Sequence, residues 1–240
     1  MLKAAIFVLI KEDFLNWGLR MADHRGALTL FIGTMGCGKS GDLLKSVKKA
    51  KRHRRRTVIG FKFDGDTRDP GKIASRDYGL EMQAYEIPAD KPNEIFEILK
   101  DHEKKIGKKC NIVVIDEGQF FAADEFFWVV DDLLKAGYDV MIAGLDLNFT
   151  GRPFGAMLRL ITLAQDGKVF YPDAWCKCGE RAIFPQRLLP NGELAPWDGP
   201  EIEIGDVNTA EQSKREKEEP DYIYEPRCPN CFVRPPKKDS

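Results

Sequence analysis

Apolar and polar residues follow two different periods along the chain. Five short apolar runs predict strands, at 28–32, 57–63, 82–87, 111–115 and 140–145. Between them, apolar side chains recur at helical spacing, which predicts helices from 40 to about 52, from 92 to about 105 and from 123 to about 136. The run 111–115 is apolar after its first residue, as expected of a strand buried on both faces. This alternation favours an α/β fold with a mainly parallel sheet flanked by helices.

The pattern changes after about residue 173. The remaining sequence contains nine prolines, short strand signals and no long amphipathic pattern. Such a segment has too little apolar core to fold unaided, so it needs a staple. Residues 211–219 are almost wholly charged and polar, which predicts a mobile loop tip at about 209–219. The predicted divisions are an N-terminal extension (1–26), an α/β domain (27–172), a stapled C-terminal module (173–234) and a basic tail (235–240).

Composition and charge are those of an ordinary soluble domain. The chain has 240 residues, is 43% hydrophobic and carries a net charge of −1. No apolar run approaches the roughly 20 residues needed to span a bilayer. The apolar stretch 4–10 imitates an export signal, but Lys11, Glu12 and Asp13 follow it without a small-residue cleavage site. We therefore expect a cytoplasmic protein with no membrane partner.

A basic run between Lys45 and Arg56 has two interpretations. It could be a nucleic-acid site, or its cations could complement the negative end of a helix dipole. No aromatic residues are interleaved for stacking on bases. We favour the second interpretation and expect no stable nucleic-acid partner.

A phosphate-binding motif follows the first predicted strand. The segment is Gly33-Thr34-Met35-Gly36-Cys37-Gly38-Lys39-Ser40, with the pattern G-x-x-x-x-G-K-S. Strand, glycine-rich loop and helix are the context in which this motif binds a nucleoside triphosphate. Backbone N–H groups close around the phosphates, Lys39 reaches the β- and γ-phosphates, and Ser40 can ligate Mg²⁺. The sequence therefore predicts an ATP site, a chance match in a turn being the alternative.

Two acidic residues, Asp116 and Glu117, follow the buried strand at 111–115. An acid at the end of a strand neighbouring the phosphate loop is placed to hold Mg²⁺ or its water shell. Glu117 can then face a nucleophile. Water as the nucleophile would make the protein an ATPase, and a substrate hydroxyl would make it a kinase. The pair alone does not decide between them.

Four of the six cysteines form two close pairs. Cys176 and Cys178 open the C-terminal module, and Cys228 and Cys231 close it. Four thiolates describe a closed structural zinc site, which holds structure and leaves no open position for chemistry. Two disulfides or four free thiols are the alternatives.

The order of these motifs resembles the type II thymidine kinase family, the tetrameric zinc-containing kind. The phosphate loop is followed by Asp116-Glu117-Gly118-Gln119-Phe120, then by the segment from Gly144 to Phe154, then by the two cysteine pairs. Shorter matches are Asp66-Thr67-Arg68, Gly205-Asp206-Val207-Asn208 and Tyr224, four residues before Cys228. The resemblance covers about residues 27–233. It implies a RecA-like phosphate-loop fold with a zinc-stapled lasso module, and a homotetramer.

The resemblance also implies roles for individual residues. Glu117 would be the general base, Lys39 would act on the phosphates, and Arg187 would neutralise charge near the transferred group. Asp116 and Gln119 would join the phosphate loop in the nucleotide site. The thymine-enclosing residues would be Met35, Leu145, Phe149 and Phe154; without the resemblance, the two phenylalanines would be taken as core. Backbone groups of a second stretch would bind the base, with Tyr224 closing over the nucleoside; this stretch is Ile202, Glu203, Ile204, Gly205 and Asp206.

The leading prediction is a thymidine kinase that uses ATP, Mg²⁺ and structural Zn²⁺ to make dTMP for DNA synthesis. The alternative is a RecA-like ATPase with a zinc ribbon acting on DNA. Against it, the sequence predicts one sheet domain and no basic surface beyond one helix end.

Overall fold

A six-stranded parallel sheet forms the centre of the protein. The computed structural model describes residues 25–54, 56–75, 77–164, 168–198 and 222–236. Along the chain the elements are β1 (Leu28–Ile32), α1 (Lys39–Arg54), β2 (Val58–Phe63), β3 (Lys72–Ser75), β4 (Leu80–Gln83), β5 (Tyr85–Ile87), α2 (Glu94–Ile106), β6 (Ile112–Asp116), α3 (Ala123–Lys135), β7 (Asp139–Gly144), α4 (Met157–Leu160), β8 (Val169–Phe170), β9 (Phe184–Leu188) and β10 (Ile223–Arg227). The strand order is β5-β2-β6-β7-β1-β8, and every neighbouring pair is parallel. The predicted α/β class is confirmed.

Helices cover both faces of this sheet, because the central strands β1, β2, β6 and β7 present apolar side chains on both sides. Helix α1 buries Leu43, Leu44 and Val47 against one face, where they meet Ile112 and Val114 of β6. Helices α2 and α3 cover the other face and form the larger cluster around Val113 and Ile115. The wholly apolar run of β6 is thus buried on both sides, as the sequence predicts.

The helix boundaries follow local signals. Helix α2 ends at Ile106, and Gly107 follows in a left-handed conformation with φ of 69°, donating its N–H to Glu103 O. Glycine adopts this conformation without strain, which is why it is favoured just after a helix. The predicted helix ends at about 105 and about 136 are confirmed within one residue.

The predicted single strand at 82–87 is wrong. Leu80–Gln83 forms an antiparallel hairpin with Lys72–Ser75, and only Tyr85–Ile87 joins the main sheet. Ala84 lies between the two strands, and its N–H donates to Gly71 O. Met82 packs on the α1 side of the sheet, whereas Ile87 packs on the opposite side. No glycine or proline separates the two strands, so the sequence pattern merges them.

The C-terminal module contains a second, two-stranded sheet. Strands β9 and β10 pair antiparallel, with Leu188 opposite Ile223 and Arg187 opposite Tyr224. The rings of Phe184 and Phe232 stack at a centroid distance of 4.3 Å. A small apolar cluster joins Ala174 and Ala182 to the paired cysteines. The same cluster includes Cys37 of the loop after β1, and the need of this segment for a staple stays a prediction.

No helix within the described ranges is long and apolar enough to cross a bilayer.

The carboxyl ends of β1, β2, β6 and β7 all meet at one edge of the main sheet, since the strands are parallel. Crevices at this edge are where open α/β sheets bind their ligands. The predicted phosphate loop and the predicted acidic pair both lie there.

Candidate functional site

The loop between β1 and α1 contains the predicted phosphate-binding motif. Gly36 and Gly38 have φ values of 73° and 79°, which side-chain-bearing residues rarely adopt. Lys39 opens α1, and its Nζ donates to Thr34 O at 2.7 Å. The lysine therefore folds back over the loop. A loop of this kind at a helix N-terminus directs backbone N–H groups and a positive charge at a bound anion.

Ser40 and Asp116 meet beside this loop. Ser40 Oγ donates to Asp116 Oδ1 at 3.1 Å, and the backbone N–H of Glu117 donates to the same oxygen at 3.0 Å. Strand β6 is not adjacent to β1, since β7 lies between them, yet the first turn of α1 reaches across to Asp116. Burial, reinforced by the neighbouring charge of Glu117, raises the pKa of Asp116 to about 7. A hydroxyl and a carboxylate oxygen in this arrangement fit Mg²⁺.

Glu117 is held in an unusual conformation. Its φ of 55° and ψ of 41° place it in the left-handed region, and among the described residues no other non-glycine residue has a positive φ. This backbone costs about 1–2 kcal/mol. Arg68 Nη2 donates to Glu117 Oε1 at 2.6 Å, and Gln119 Nε2 donates to Oε2 at 2.7 Å. Both carboxylate oxygens are therefore fixed by neighbouring side chains.

Gln119 links this carboxylate to the next strand. While its Nε2 contacts Glu117, its Oε1 accepts a hydrogen bond from the backbone N–H of Leu145 at 2.9 Å. Leu145 follows directly after β7. Gln119 was predicted as a nucleotide-binding residue; its observed contacts are with the acidic pair and with the segment after β7.

Arg68 contacts both Glu117 and Asp66, and the sequence predicted a role for neither Arg68 nor Asp66. Arg68 Nε donates to Asp66 Oδ1 at 2.7 Å. Burial opposes the charge of Arg68, but Glu117 and Asp66 outweigh it and raise the pKa of the guanidinium above its ordinary value. Burial likewise opposes the ionisation of Asp66, but Arg68 and Lys62 leave its pKa lowered. The available signal was the Asp66-Thr67-Arg68 motif just after a strand that ends at the same sheet edge.

The four residues predicted to enclose thymine divide into two groups. Leu145 and Phe154 are buried in the main cluster, and Met35 packs against it. The ring of Phe154 meets Phe120 edge-on at 5.7 Å. Phe149 lies instead against Arg187. Burial of this kind also occurs in ordinary core packing, so the assignment to a base pocket stays a prediction.

Arg187 is wholly buried between two aromatic rings. Its guanidinium carbon lies 3.4 Å from the ring centroid of Phe149 and 4.3 Å from that of Tyr222. Tyr224, the predicted nucleoside-closing residue, is buried opposite Arg187 in the β9–β10 pair. Sequence reasoning missed Tyr222, although it lies two residues before Tyr224. The predicted base-binding stretch 202–206 and the predicted loop tip 209–219 lie outside the described residues.

The four paired cysteines come together in one cluster. The sulfur atoms of Cys176, Cys178, Cys228 and Cys231 all lie within 4.8 Å of one another. Zn–S bonds of about 2.3 Å in a tetrahedron separate the sulfurs by about 3.8 Å, and Cys178 Sγ lies 3.6 Å from Cys228 Sγ. Backbone N–H groups of Cys178 and Cys228 lower the pKa of the Cys176 thiol to about 6, whereas the neighbouring cysteines raise the pKa of the Cys231 thiol to about 12, so without a metal the four sulfurs do not all ionise. The cluster is consistent with a zinc site.

A glycine-rich loop before a helix, a buried acidic pair and a parallel sheet are together typical of the phosphate-loop class of α/β proteins. Comparison with known protein families gives the particular family. Residues 26–215 match the thymidine kinase family. The chain belongs to that family, and it is a nucleoside kinase. The resemblance inferred from the motifs is thereby confirmed.

Proposed function

We propose that the protein transfers the γ-phosphate of ATP to the 5′-hydroxyl of thymidine, giving ADP and dTMP for DNA synthesis. The proposal is carried by the meeting of Ser40, Asp116 and Glu117 beside the glycine-rich loop. Family membership supports the choice of a nucleoside as the phosphoryl acceptor. Phosphoryl transfer needs mainly positioning and charge stabilisation, and these residues are of the types that supply both.

Lys39, Ser40 and Asp116 hold the nucleotide end of the reaction in this proposal. The loop 33–40 surrounds the phosphates with N–H groups, and Lys39 leaves Thr34 O to bind the β- and γ-phosphates. Ser40 and Asp116 would hold Mg²⁺, which neutralises charge on the phosphates when bound. The raised pKa of Asp116 suits this role, because a bound divalent cation would offset the cost of ionising a buried carboxylate.

Glu117 is the general base in the proposal. It accepts the proton of the 5′-hydroxyl while that oxygen bonds to the γ-phosphorus and the bond to ADP breaks. Its two fixed oxygens limit it to one orientation, which is what positioned proton transfer requires. Arg187 is assigned to the charge on the transferred group from the family resemblance.

The thymine base would lie among Met35, Leu145, Phe149 and Phe154, with Tyr224 closing over it. The apolar or aromatic character of these side chains supports this placement; Leu145, Phe149, Phe154 and Tyr224 are buried, and Met35 is partly buried. The contribution of residues 202–206 rests on the resemblance alone. By the same resemblance we propose a cytoplasmic homotetramer, and by the cysteine geometry a structural zinc that ties Tyr224 to the rest of the module.

A nucleoside panel tests this proposal. Purified protein is incubated with ATP, Mg²⁺ and each common nucleoside and deoxynucleoside, and 5′-monophosphates are measured by chromatography. We expect thymidine to be the best acceptor and Glu117→Gln to lose the product. ATP hydrolysis that is stimulated by DNA and indifferent to thymidine would favour the RecA-like ATPase instead.

A further inference from the structure

Strand β2 contains a buried lysine that the proposed chemistry does not use. Its sequence is Val-Ile-Gly-Phe-Lys-Phe, and Lys62 interrupts an otherwise apolar run. The residue is only 2% exposed, as deeply buried as the core phenylalanines on either side of it. Lysine is almost never this buried unless it is paired, so the position needs an explanation.

Lys62 joins the two ends of the turn 66–69. Its Nζ lies 3.2 Å from Asp66 Oδ2 and donates to the backbone oxygen of Asp69 at 3.0 Å. Backbone hydrogen bonds also fasten this turn, from Asp66 N to Phe63 O and from Lys72 N to Asp69 O, each 3.2 Å. One buried ammonium group therefore fixes both the acidic side chain that begins the turn and the backbone where it ends.

The turn carries Arg68, which contacts the proposed base. Asp66 Oδ1 accepts hydrogen bonds from the backbone N–H of Arg68 at 3.3 Å and from its Nε at 2.7 Å. The other end of the same guanidinium donates to Glu117 Oε1 at 2.6 Å. A continuous set of contacts thus runs from Lys62 through Asp66 and Arg68 to Glu117.

A purely stabilising role does not explain the lysine. Replacing a buried ion pair by apolar side chains of similar volume is often neutral or stabilising, so an apolar residue would serve the core at least as well. The location is informative as well. Lys62 is paired in register with Asp116 on the neighbouring strand, so it lies at the sheet edge where the acidic pair sits.

We propose that Lys62 is a positioning residue that acts through Asp66 to hold Arg68 against Glu117. Lys62 touches neither reactant; it fixes the turn from which Arg68 extends. The inference rests on the proposed function, because it takes Glu117 to be the general base. Its effect is therefore expected in the rate of transfer and not in the binding of either substrate.

Lys62→Met tests this role, since methionine fills the buried space without the charge. We expect kcat for thymidine phosphorylation to fall between about 10-fold and 100-fold, the size expected when a reacting group is misplaced by an ångström. KM for ATP and thymidine should change by less than about threefold, because no binding contact is removed. Lys62→Gln, which keeps an N–H donor, should lose clearly less activity than Lys62→Met.

Lys72→Met is the matched control. Lys72 is a partly exposed lysine in β3 whose ammonium group pairs with Glu81 at 3.0 Å, whereas Glu117 is held by Arg68 and Gln119. Its replacement should leave kcat unchanged. Circular dichroism and thermal unfolding of each variant separate loss of fold from loss of positioning.

A double-mutant cycle shows whether Lys62 acts through Asp66. If it does, Lys62→Met combined with Asp66→Asn should have a kcat within about twofold of Asp66→Asn alone. The inference would be overturned if the kcat losses of the two single variants multiply in the double variant, if Lys62→Met raises KM instead of lowering kcat, or if Lys62→Met keeps its activity. If Lys62→Met folds poorly, the Asp66 variants decide the question. The wild-type protein tests the proposed function separately. If it hydrolyses ATP without phosphorylating thymidine, the proposed function is wrong. The double-mutant cycle is then measured on the rate of ATP hydrolysis.

Discussion

Replacing Gly155 by alanine tests whether the position of Gln119, which hydrogen-bonds to Glu117, depends on close packing against Gly155. Gly155 has a φ of 52°, and a methyl group there would lie 2.4 Å from the backbone oxygen of Gln119 and 3.0 Å from its carbonyl carbon. Gln119 is the residue whose side chain holds Glu117 at 2.7 Å and accepts the N–H of Leu145. The clash is with backbone, so it cannot be relieved by rotating a side chain.

The expected cost has two parts. Alanine in the left-handed conformation costs about 1–2 kcal/mol, and overpacking against fixed atoms adds about 1–3 kcal/mol. Gly155→Ala should therefore lower the free energy of unfolding by about 2–5 kcal/mol. Gly107→Ala is the matched control, because Gly107 has a φ of 69° and no atom within 4 Å of the added methyl. Gly107→Ala should lose only the about 1–2 kcal/mol that alanine costs in the left-handed conformation.

Urea denaturation followed by circular dichroism measures both losses, and steady-state kinetics measures the effect on the site. We expect Gly155→Ala to lose at least about 10-fold in kcat, since the shifted Gln119 no longer fixes Glu117. Gly107→Ala, at the end of α2, should keep its activity. Equal stability losses in the two variants, with full activity in Gly155→Ala, would show that the contact with Gln119 is not made.

Four further predictions concern the charged groups and the cysteines. Glu117→Gln should lower kcat by about 10²–10⁴-fold while ATP binding measured by calorimetry persists; near-normal turnover would remove Glu117 as the base. Lys39→Ala should lower kcat/KM for ATP by at least about 10²-fold; unchanged kinetics would refute the phosphate-loop assignment. Metal analysis should find one zinc per chain, and Cys228→Ser should release it and raise the KM for thymidine, whereas metal-free wild-type protein of full activity would contradict the zinc assignment. The pKa of Asp116 is raised in the native state from its ordinary value of 3.8 to about 7, so the folded protein loses stability progressively as the pH rises through this range. Without magnesium and nucleotide, Asp116→Asn should therefore stabilise the protein at pH 8 and not at pH 4. Thermal unfolding at the two pH values measures the difference.

The main sheet could be predicted because its signals are local. The apolar run of β6 and the helical spacing after Lys39 each specify one element, and the order of elements then favours a parallel sheet. The β3–β4 hairpin could not be predicted in the same way. Lys72–Ser75 is only four residues long, and the single residue between β4 and β5 is Ala84, which is neither glycine nor proline. Its formation depends on packing against α1, which no local pattern encodes.

The candidate site shows the same division. Ser40 and Glu117 could be found because each belongs to a contiguous motif with a known physical role. The pairing of Arg68 with Glu117 could not, because it depends on β2 lying next to β6 in the sheet. The placement of Tyr222 on Arg187 depends likewise on the register of β9 and β10. Contacts made by strand order or register become visible only once the topology is known.

The β9–β10 pair has a consequence for how this enzyme can diverge. The chain leaves the small sheet at Leu188 and returns to it at Ile223, and the cysteine cluster closes the same module beside it. Lengthening a loop whose ends are already held together costs only about 0.6 kcal/mol for each doubling. Insertions between these two residues can therefore accumulate at little thermodynamic cost. The proposed base-contacting stretch 202–206 falls in this interval, so the proposed function implies that nucleoside preference can vary between lineages while Lys39, Ser40 and Glu117 stay the same.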